Sequence, residues 1–386
     1  MTIDIEALKE AGIVSIRDEL IARQRRGIEV ARTESGDPSF DVPPAVQLAI
    51  TKALFNGKTH YTAGSGIPEL RQAIAKKVSS ENGIIASQDD TIVTNGAMHG
   101  LYVVFQAILN KDDQVLVPTP TWTETVTNVT LAGGQPRYYN LDPFASEPID
   151  IGELRKLITP NTKALVINTP HNPTGRVLDY ALLDRISALC DEFDLFLISD
   201  EAYEHLTYAG AKHASVAGIR DRDKNISIFS CSKSYAMSGL RVGYVVTKDS
   251  EVMRKMRMLL RCTANGVNSI AQYGAAAAIG KPDGSYLWEM RNQYTYRRKL
   301  LMDALVTHPW FDPVQPEGAF YVWTRITDAW PGPKDGWAVT ARLLENNLGS
   351  APGDVFGPGG VGHVRFAFSC ATDHIERAAH LLANMK

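Results

Sequence analysis

Short runs of Val, Ile, Leu and Phe, each followed by a stretch with helical periodicity, limit the fold of this chain more than any other feature. The runs cover residues 91–94, 114–117, 164–168, 195–199, 226–230 and 241–246. None shows a clean alternation of apolar and polar positions, as expected of strands covered on both faces. Between them, Leu70, Ala73, Ile74 and Val78 fall on one helical stripe, with Pro68 in the first turn and Gly83 as a stop. Thr121 is the expected cap of a helix that runs to Leu131 and closes at Gly133-Gly134. The alternation predicts an α/β domain with a mainly parallel sheet from about residue 45 to 280. Ligand chemistry is then expected at the carboxyl ends of its strands.

From about Tyr286 the texture changes. A long charged helix (288–305) leads into strand-like segments at 314–323 and 363–368, while 331–336 and 357–362 read as loops. This predicts a smaller α+β domain of residues 286–386, on which 1–44 pack, beside a large domain of 45–285. A chain of 386 residues, 44% hydrophobic, can bury two such cores. The net charge of −3 gives no basic surface for nucleic acid. No apolar run approaches the length of a membrane span, and the N-terminus lacks a basic-then-apolar leader. Cys190, Cys231, Cys262 and Cys370 are far apart and read as reduced thiols of a cytoplasmic protein. The nine histidines form no metal-ligand spacing, so no metal site is expected.

Lys233 is the first candidate for chemistry. It follows an apolar strand, with Ser230 three residues before it and Arg241 eight after. A buried lysine can be neutral near pH 7, as imine chemistry requires. A hydroxyl and a guanidinium beside it can hold one phosphate. Lysine, imine and phosphate together point to pyridoxal phosphate. A solvated surface charge is the ordinary alternative for a single lysine, so corroboration must come from elsewhere.

Five further segments supply it. Gly96, Ala97 and Met98 end a strand and open a helix, where backbone N–H groups favour an anion. Trp122 follows a strand and can stack on a pyridine ring, or it is a core tryptophan. In 168–175, two prolines and a glycine make a stiff turn that would hold the Asn172 amide at the strand ends. Asp200 lies just past a buried strand, where a carboxylate would keep a ring nitrogen protonated; Tyr203 is three residues on. Arg365 in an apolar strand needs a partner, either a substrate carboxylate or a structural ion pair. The helicase-like Asp200-Glu201 pair lacks a phosphate-binding GxxxxGK[ST] loop, and the Ser230-x-x-Lys233 match lacks the SDN and KTG partners of penicillin-binding proteins.

In this order and spacing, the segments resemble the fold-type I pyridoxal phosphate enzymes, specifically class I aminotransferases of the subgroup that includes bacterial aspartate aminotransferases. The likeness runs from Glu34-Ser-Gly36 through the 61–71 segment to Arg365-Phe366. It implies a pyridoxal phosphate-dependent transferase fold with a seven-stranded sheet, and ping-pong exchange of an amino group between an L-amino acid and a 2-oxo acid. Lys233 would form the internal aldimine. Asp200 would pair with the ring nitrogen, Asn172 and Tyr203 with the phenolic oxygen, and Trp122 would stack on the ring. Gly96, Ala97, Met98, Ser230 and Arg241 would surround the phosphate, with Tyr61 reaching in from the partner subunit of a homodimer. Arg365, Asn172 and Gly36 would hold the substrate carboxylate, beneath a mobile N-terminal segment.

Two positions depart from that pattern. Aspartate-preferring members often carry a lysine where Met98 stands, which weakens the case for a dicarboxylic substrate unless Arg17 substitutes. Asp354 replaces an expected serine; it either repels acidic or attracts cationic substrates at the mouth, or is simply solvated. His99 and His171 are expected as wall residues. Aspartate, glutamate and neutral or aromatic donors all stay open. So do β-elimination, decarboxylation and oxidation on the same fold. A non-catalytic regulator is disfavoured, because only about 35 residues precede Gly36, too few for a DNA-binding domain.

Overall fold

The computed structural model describes residues 12–280 and 284–385. The first eleven residues of the predicted small domain, Lys281–Asp283 and the final lysine lie outside them. The apolar runs form a seven-stranded sheet. Its strands are β2 (Thr91–Thr94), β3 (Gln114–Thr119), β4 (Gln135–Asn140), β5 (Thr162–Asn168), β6 (Phe196–Asp200), β7 (Asn225–Ser230) and β8 (Gly243–Val246), in the order β2-β8-β7-β6-β5-β3-β4. Strands β4, β3, β5, β6 and β7 are parallel, and β8 runs antiparallel to β7 and β2. Every residue of β2, β7 and β8 is buried, which explains the unalternating pattern in the sequence. Clusters built on Val104, Phe105 and Met256, on Leu70, Ile74 and Tyr244, and on Leu165, Ile186 and Leu197 form the core.

Strand β4 was not expected. Its sequence, Gln-Pro-Arg-Tyr-Tyr-Asn, is largely polar because it is an edge strand, with only Tyr139 buried. The helices that matter for the site are α1 (Ile13–Arg25), α2 (Pro44–Phe55), α3 (Pro68–Glu81), α4 (Ala97–Ile108) and α5 (Thr123–Leu131). Helix α3 starts at Pro68, and Gly83 beyond its end has a positive φ of 69°. Helix α5 corrects the expected cap: Trp122, not Thr121, occupies the N-cap position and makes no side-chain cap bond.

A second, four-stranded sheet is built from β9 (Phe311–Pro313), β10 (Tyr321–Ile326), β12 (Ala351–Pro352) and β13 (His363–Ala367), all antiparallel. Its predicted strand at 314–323 begins seven residues late, at Tyr321, because 314–320 form a connection that crosses toward the large sheet: the Glu317 and Gly318 N–H groups donate to Gly175 O. The helix Gly284–Thr307 packs Tyr294, Leu301 and Leu305 against this sheet. Segment β1 (Ala31–Arg32) pairs with β11 (Leu348–Gly349), and Leu20 of α1 is fully buried with Val30 beside Leu344. Residues 13–32 therefore rest on the C-terminal part of the chain.

Candidate active site

Parallel strands bring their last residues to one edge. Asn168 of β5 pairs in register with Asp200 of β6, and β7 ends beside them at Ser230. The antiparallel β8 starts where its neighbours end, with Gly243 opposite both Ser230 and Thr94, so Arg241 arrives at the same edge. There a cavity of about 590 Å³ opens, lined by Gly36, Ala97, Met98, Trp122, Asn172, Asp200, Tyr203, Ser230, Lys233, Arg241 and Arg365. Seven separate segments thus deliver most of the residues singled out from the sequence. Gly96 lies just behind, at the N-cap of α4 with φ 80°; a Cβ there would stand 2.5 Å from Arg241 Nη2. Tyr61 is elsewhere. It is 88% exposed and borders a separate depression with Asn265 and Val267.

Lys233 sits in the short helical turn Cys231–Ser234, which Ser230 caps by accepting the Ser232 N–H at 3.1 Å. Its Nζ donates to Gly36 O at 2.6 Å. Burial lowers the amine's pKa to about 8, with Arg241 and Arg365 pushing the same way and Asp37 and Asp200 opposing. Asp200 is raised to about 6, again chiefly by burial, despite the N–H that Ala202 donates to it. The lowered amine suits imine chemistry, and the buried carboxyl is a group that a neighbouring cation would stabilise as its anion.

Arg365 is fully buried. Its Nη1 donates to Asn172 Oδ1 at 2.9 Å and its Nη2 to Glu34 O at 2.8 Å. Rings of Tyr321 and Phe356 stand 4.2 and 4.8 Å from its guanidinium carbon. Nε is left without a partner, so this cation is incompletely satisfied, as a carboxylate-binding group should be before its ligand arrives. The Arg365 bond uses the Asn172 carbonyl oxygen and thereby aims the amide's donor end elsewhere. Tyr203 meets the Tyr321 hydroxyl at 3.0 Å.

Pyridoxal phosphate fits this donor set. The N-terminus of α4, the Ser230 hydroxyl and the Arg241 fork converge, and Gly96 keeps the approach free of a side chain. The buried acid at 200 awaits a cation, and the nearby lysine is readily neutral. Among the described residues no group of His, Cys, Asp or Glu is arranged to hold a metal ion.

Some neighbours had no distinct signal in the sequence. Asn168 links the parts: its Oδ1 accepts the Asn172 N–H at 2.8 Å and its Nδ2 donates to Asp200 O at 2.9 Å. The sequence marks Tyr321 only as part of a strand, yet Gly36 must lack a side chain because a Cβ would lie 1.9 Å from the Tyr321 hydroxyl. Glu124 also lines the cavity. Neither histidine lines the cavity: His171 is buried, bonded to Thr174 Oγ1 at 2.7 Å and lowered to about 3 by burial, and His99 accepts the Asn95 N–H at 3.3 Å. Asp354 does not line this cavity and is partly buried. Its Oδ2 accepts the Gly336 N–H at 3.1 Å, fixing the start of the helix Gly336–Glu345.

Residues 30–382 match the family model for aminotransferases of class I and II. An aspartate/prephenate aminotransferase of Thermus thermophilus is 34% identical over 383 residues, covering 99% of this chain and 97% of the relative. The crystal structure of Thermus thermophilus aspartate aminotransferase with maleate superposes with a TM-score of 0.92 at 33% identity, covering 99% of this chain and 98% of the other. An aromatic aminotransferase of Pyrococcus horikoshii gives a TM-score of 0.86 at 34% identity, with 94% and 97% covered.

Proposed function

The chain belongs to the class I and II aminotransferases, and from that membership we propose a role for each residue of the cavity. The protein is a pyridoxal phosphate-dependent aminotransferase that exchanges an amino group between amino acids and 2-oxo acids by a ping-pong mechanism. When bound, the cofactor supplies a protonated ring that accepts the electron pair left on the substrate Cα. Asp200 holds the ring nitrogen's proton by charge pairing, and the raised pKa of the free acid is the cost of keeping that anion buried. Asn172 Nδ2 and the Tyr203 hydroxyl donate toward the phenolic oxygen, while Trp122 covers a ring face. Ala97 and Met98 N–H groups, Ser230 and Arg241 take the phosphate, behind the open space that Gly96 leaves.

Lys233 would hold the cofactor and, once displaced by substrate, its amine would take the proton from the substrate Cα and return it two bonds away, at the cofactor's aldehyde carbon. An amine near pKa 8 is suited to both directions at neutral pH. Arg365 clamps the substrate α-carboxylate, with Asn172 and the Gly36 backbone beside it. The observation that carries this reading is the convergence of Lys233, Asp200 and Arg365, whose Nε has no partner, on one cavity at the strand ends.

The working unit is proposed to be a cytoplasmic homodimer, each protomer having a large domain of 45–285 and a small one of 1–44 with 286–386. Support comes from exposed apolar side chains on and just after α2: Leu48, Leu54, Phe55 and Tyr61 are 70%, 57%, 85% and 88% exposed. Tyr61, far from its own cavity, would complete the partner's phosphate site. No helix among the described residues is long and apolar enough to cross a membrane.

The test is reduction of the loaded enzyme with borohydride followed by peptide mapping, together with a single-turnover reaction against each common amino acid. Label on Lys233 and conversion of the cofactor to its amine form are expected. In Lys233→Ala, turnover should fall by at least about 10³-fold. Release of ammonia or CO₂ instead of a 2-oxo acid would assign a different reaction, and label on another lysine would overturn the site.

A further inference from the structure

We propose that Glu124 is a specificity determinant that selects amino donors whose side chain ends in a hydrogen-bond donor over those ending in a second carboxylate. The inference rests on the transamination reading above. It starts from the wall of the cavity on which Met98 stands. The Met98 sulfur is held by Asn128 of α5, whose Nδ2 lies 3.1 Å from Sδ. Glu124 is four residues before Asn128 on the same helix and therefore on the same face. Glu124 and Met98 line the one cavity. This wall therefore offers a bound ligand a thioether and, one turn of α5 from the residue that holds it, a carboxyl group.

That carboxyl group is unfinished. Oε2 of Glu124 is buried and has no hydrogen-bond partner. Burial raises its pKa from the ordinary value, while Arg365 pulls it down. A buried acceptor left open is costly, and a ligand donor removes the cost. The other cation on this side, Arg17 of α1, also lines the cavity, but its Nε and Nη2 both donate to Asp18 Oδ1, at 3.2 and 3.1 Å. That pair is solvent-exposed, at 44% and 61% of the two side chains, and holds Arg17 only weakly. Isosteric pairs isolate the effect: glutamine and glutamate differ only in presenting N–H or O⁻ at the same reach.

The competing role for Glu124 is purely structural, an acidic residue in the first turn of α5 complementing the helix dipole. Two measurements on the cofactor-loaded full chain separate these. The first is the single-turnover rate with L-glutamine against L-glutamate. The second is spectral titration with the unreactive probes succinamate and succinate. Wild type should favour the amide by at least about tenfold in both. Glu124→Gln should bring both ratios toward unity, and adding Met98→Lys should reverse them. A preference for glutamate or succinate in wild type overturns the proposal. So does a ratio unmoved by Glu124→Gln, even if that variant melts lower, because the helix-terminal role alone would then account for the residue. Should no amino acid react at all, the transamination reading falls, and the succinamate-to-succinate ratio still decides Glu124.

Discussion

At the scale of single residues, the site stores unfavourable charge that its cofactor would relieve. Asp200 is raised from 3.8 to about 6, so its contribution to stability is intact below its unfolded value and lost as pH rises through about 6. Lys233 is lowered from 10.5 to about 8, so its contribution is intact above its unfolded value and lost as pH falls through about 8. Between roughly pH 6 and 8 both penalties are in force, on the order of 3 kcal/mol apiece before the two charges attract each other. The cofactor-free Asp200→Asn variant should therefore melt higher than cofactor-free wild type at pH 7, and the gap should close near pH 4. Once loaded, the variant should lose that advantage and turn over about 10²-fold more slowly or worse. Thermal melts at the two pH values check this, and a variant less stable than wild type at pH 7 without cofactor would count against the burial argument. The identities of both residues were legible in the sequence, since an acid just past one buried strand and a lysine just past the next are visible in the order of residues. The sizes of their shifts were not, because burial is a property of everything packed around them.

At the scale of elements, legibility followed burial. The fully covered strands announced themselves as apolar runs, whereas the polar edge strand β4 did not, and the cap of α5 fell on Trp122 because no side chain at Thr121 or Trp122 makes the bond that capping residues advertise. Helix α2 shows the same split across its width. Val46 and Ala53 are buried, Val46 in one cluster with Ala271 and Ala275, and a glycine at 274 lets Val46 and Ile50 approach. Leu48, Leu54 and Phe55 point outward. An apolar row on the wrong side of an amphipathic helix needs a partner, and a second copy offers the same row. Phe55→Asp should convert a dimer to monomers in sedimentation, leave the monomer folded by circular dichroism, and weaken cofactor retention because Tyr61 no longer reaches the other protomer's site. A wild-type protein that sediments as a monomer, or a variant that stays dimeric with full retention, would remove the support this surface gives.

At the scale of the whole molecule, the cavity is where three parts of the chain are tied together. Arg365 comes from the four-stranded sheet, its Nη1 bonds Asn172 at the edge of the seven-stranded sheet, and its Nη2 bonds Glu34 in the segment after β1. Lys233 reaches the same segment through Gly36 O, and Tyr203 meets Tyr321 across the two sheets. Helix α1 completes the enclosure: Ile13, Val14 and Arg17 line the cavity, and Ile13 packs with Trp323 and Phe356. Such a junction was not readable from the sequence, since its members lie up to 331 residues apart and meet only in the fold. It has a mechanical consequence. A carboxylate seated on Arg365 binds a group already bonded to residue 34, so part of its binding free energy goes into holding residues 13–37 against the sheets. Amide hydrogen exchange of the loaded enzyme should slow across 13–37 when an unreactive carboxylate is added, while β5, β6 and β7, already at the protected end of the scale, should not change. Arg365→Lys, which keeps the charge but loses the fork, should bind the same ligand at least about tenfold more weakly and give little added protection at equal occupancy. Uniform slowing over the entire chain would instead indicate general stabilisation by mass action, with no specific closure at the N-terminal segment.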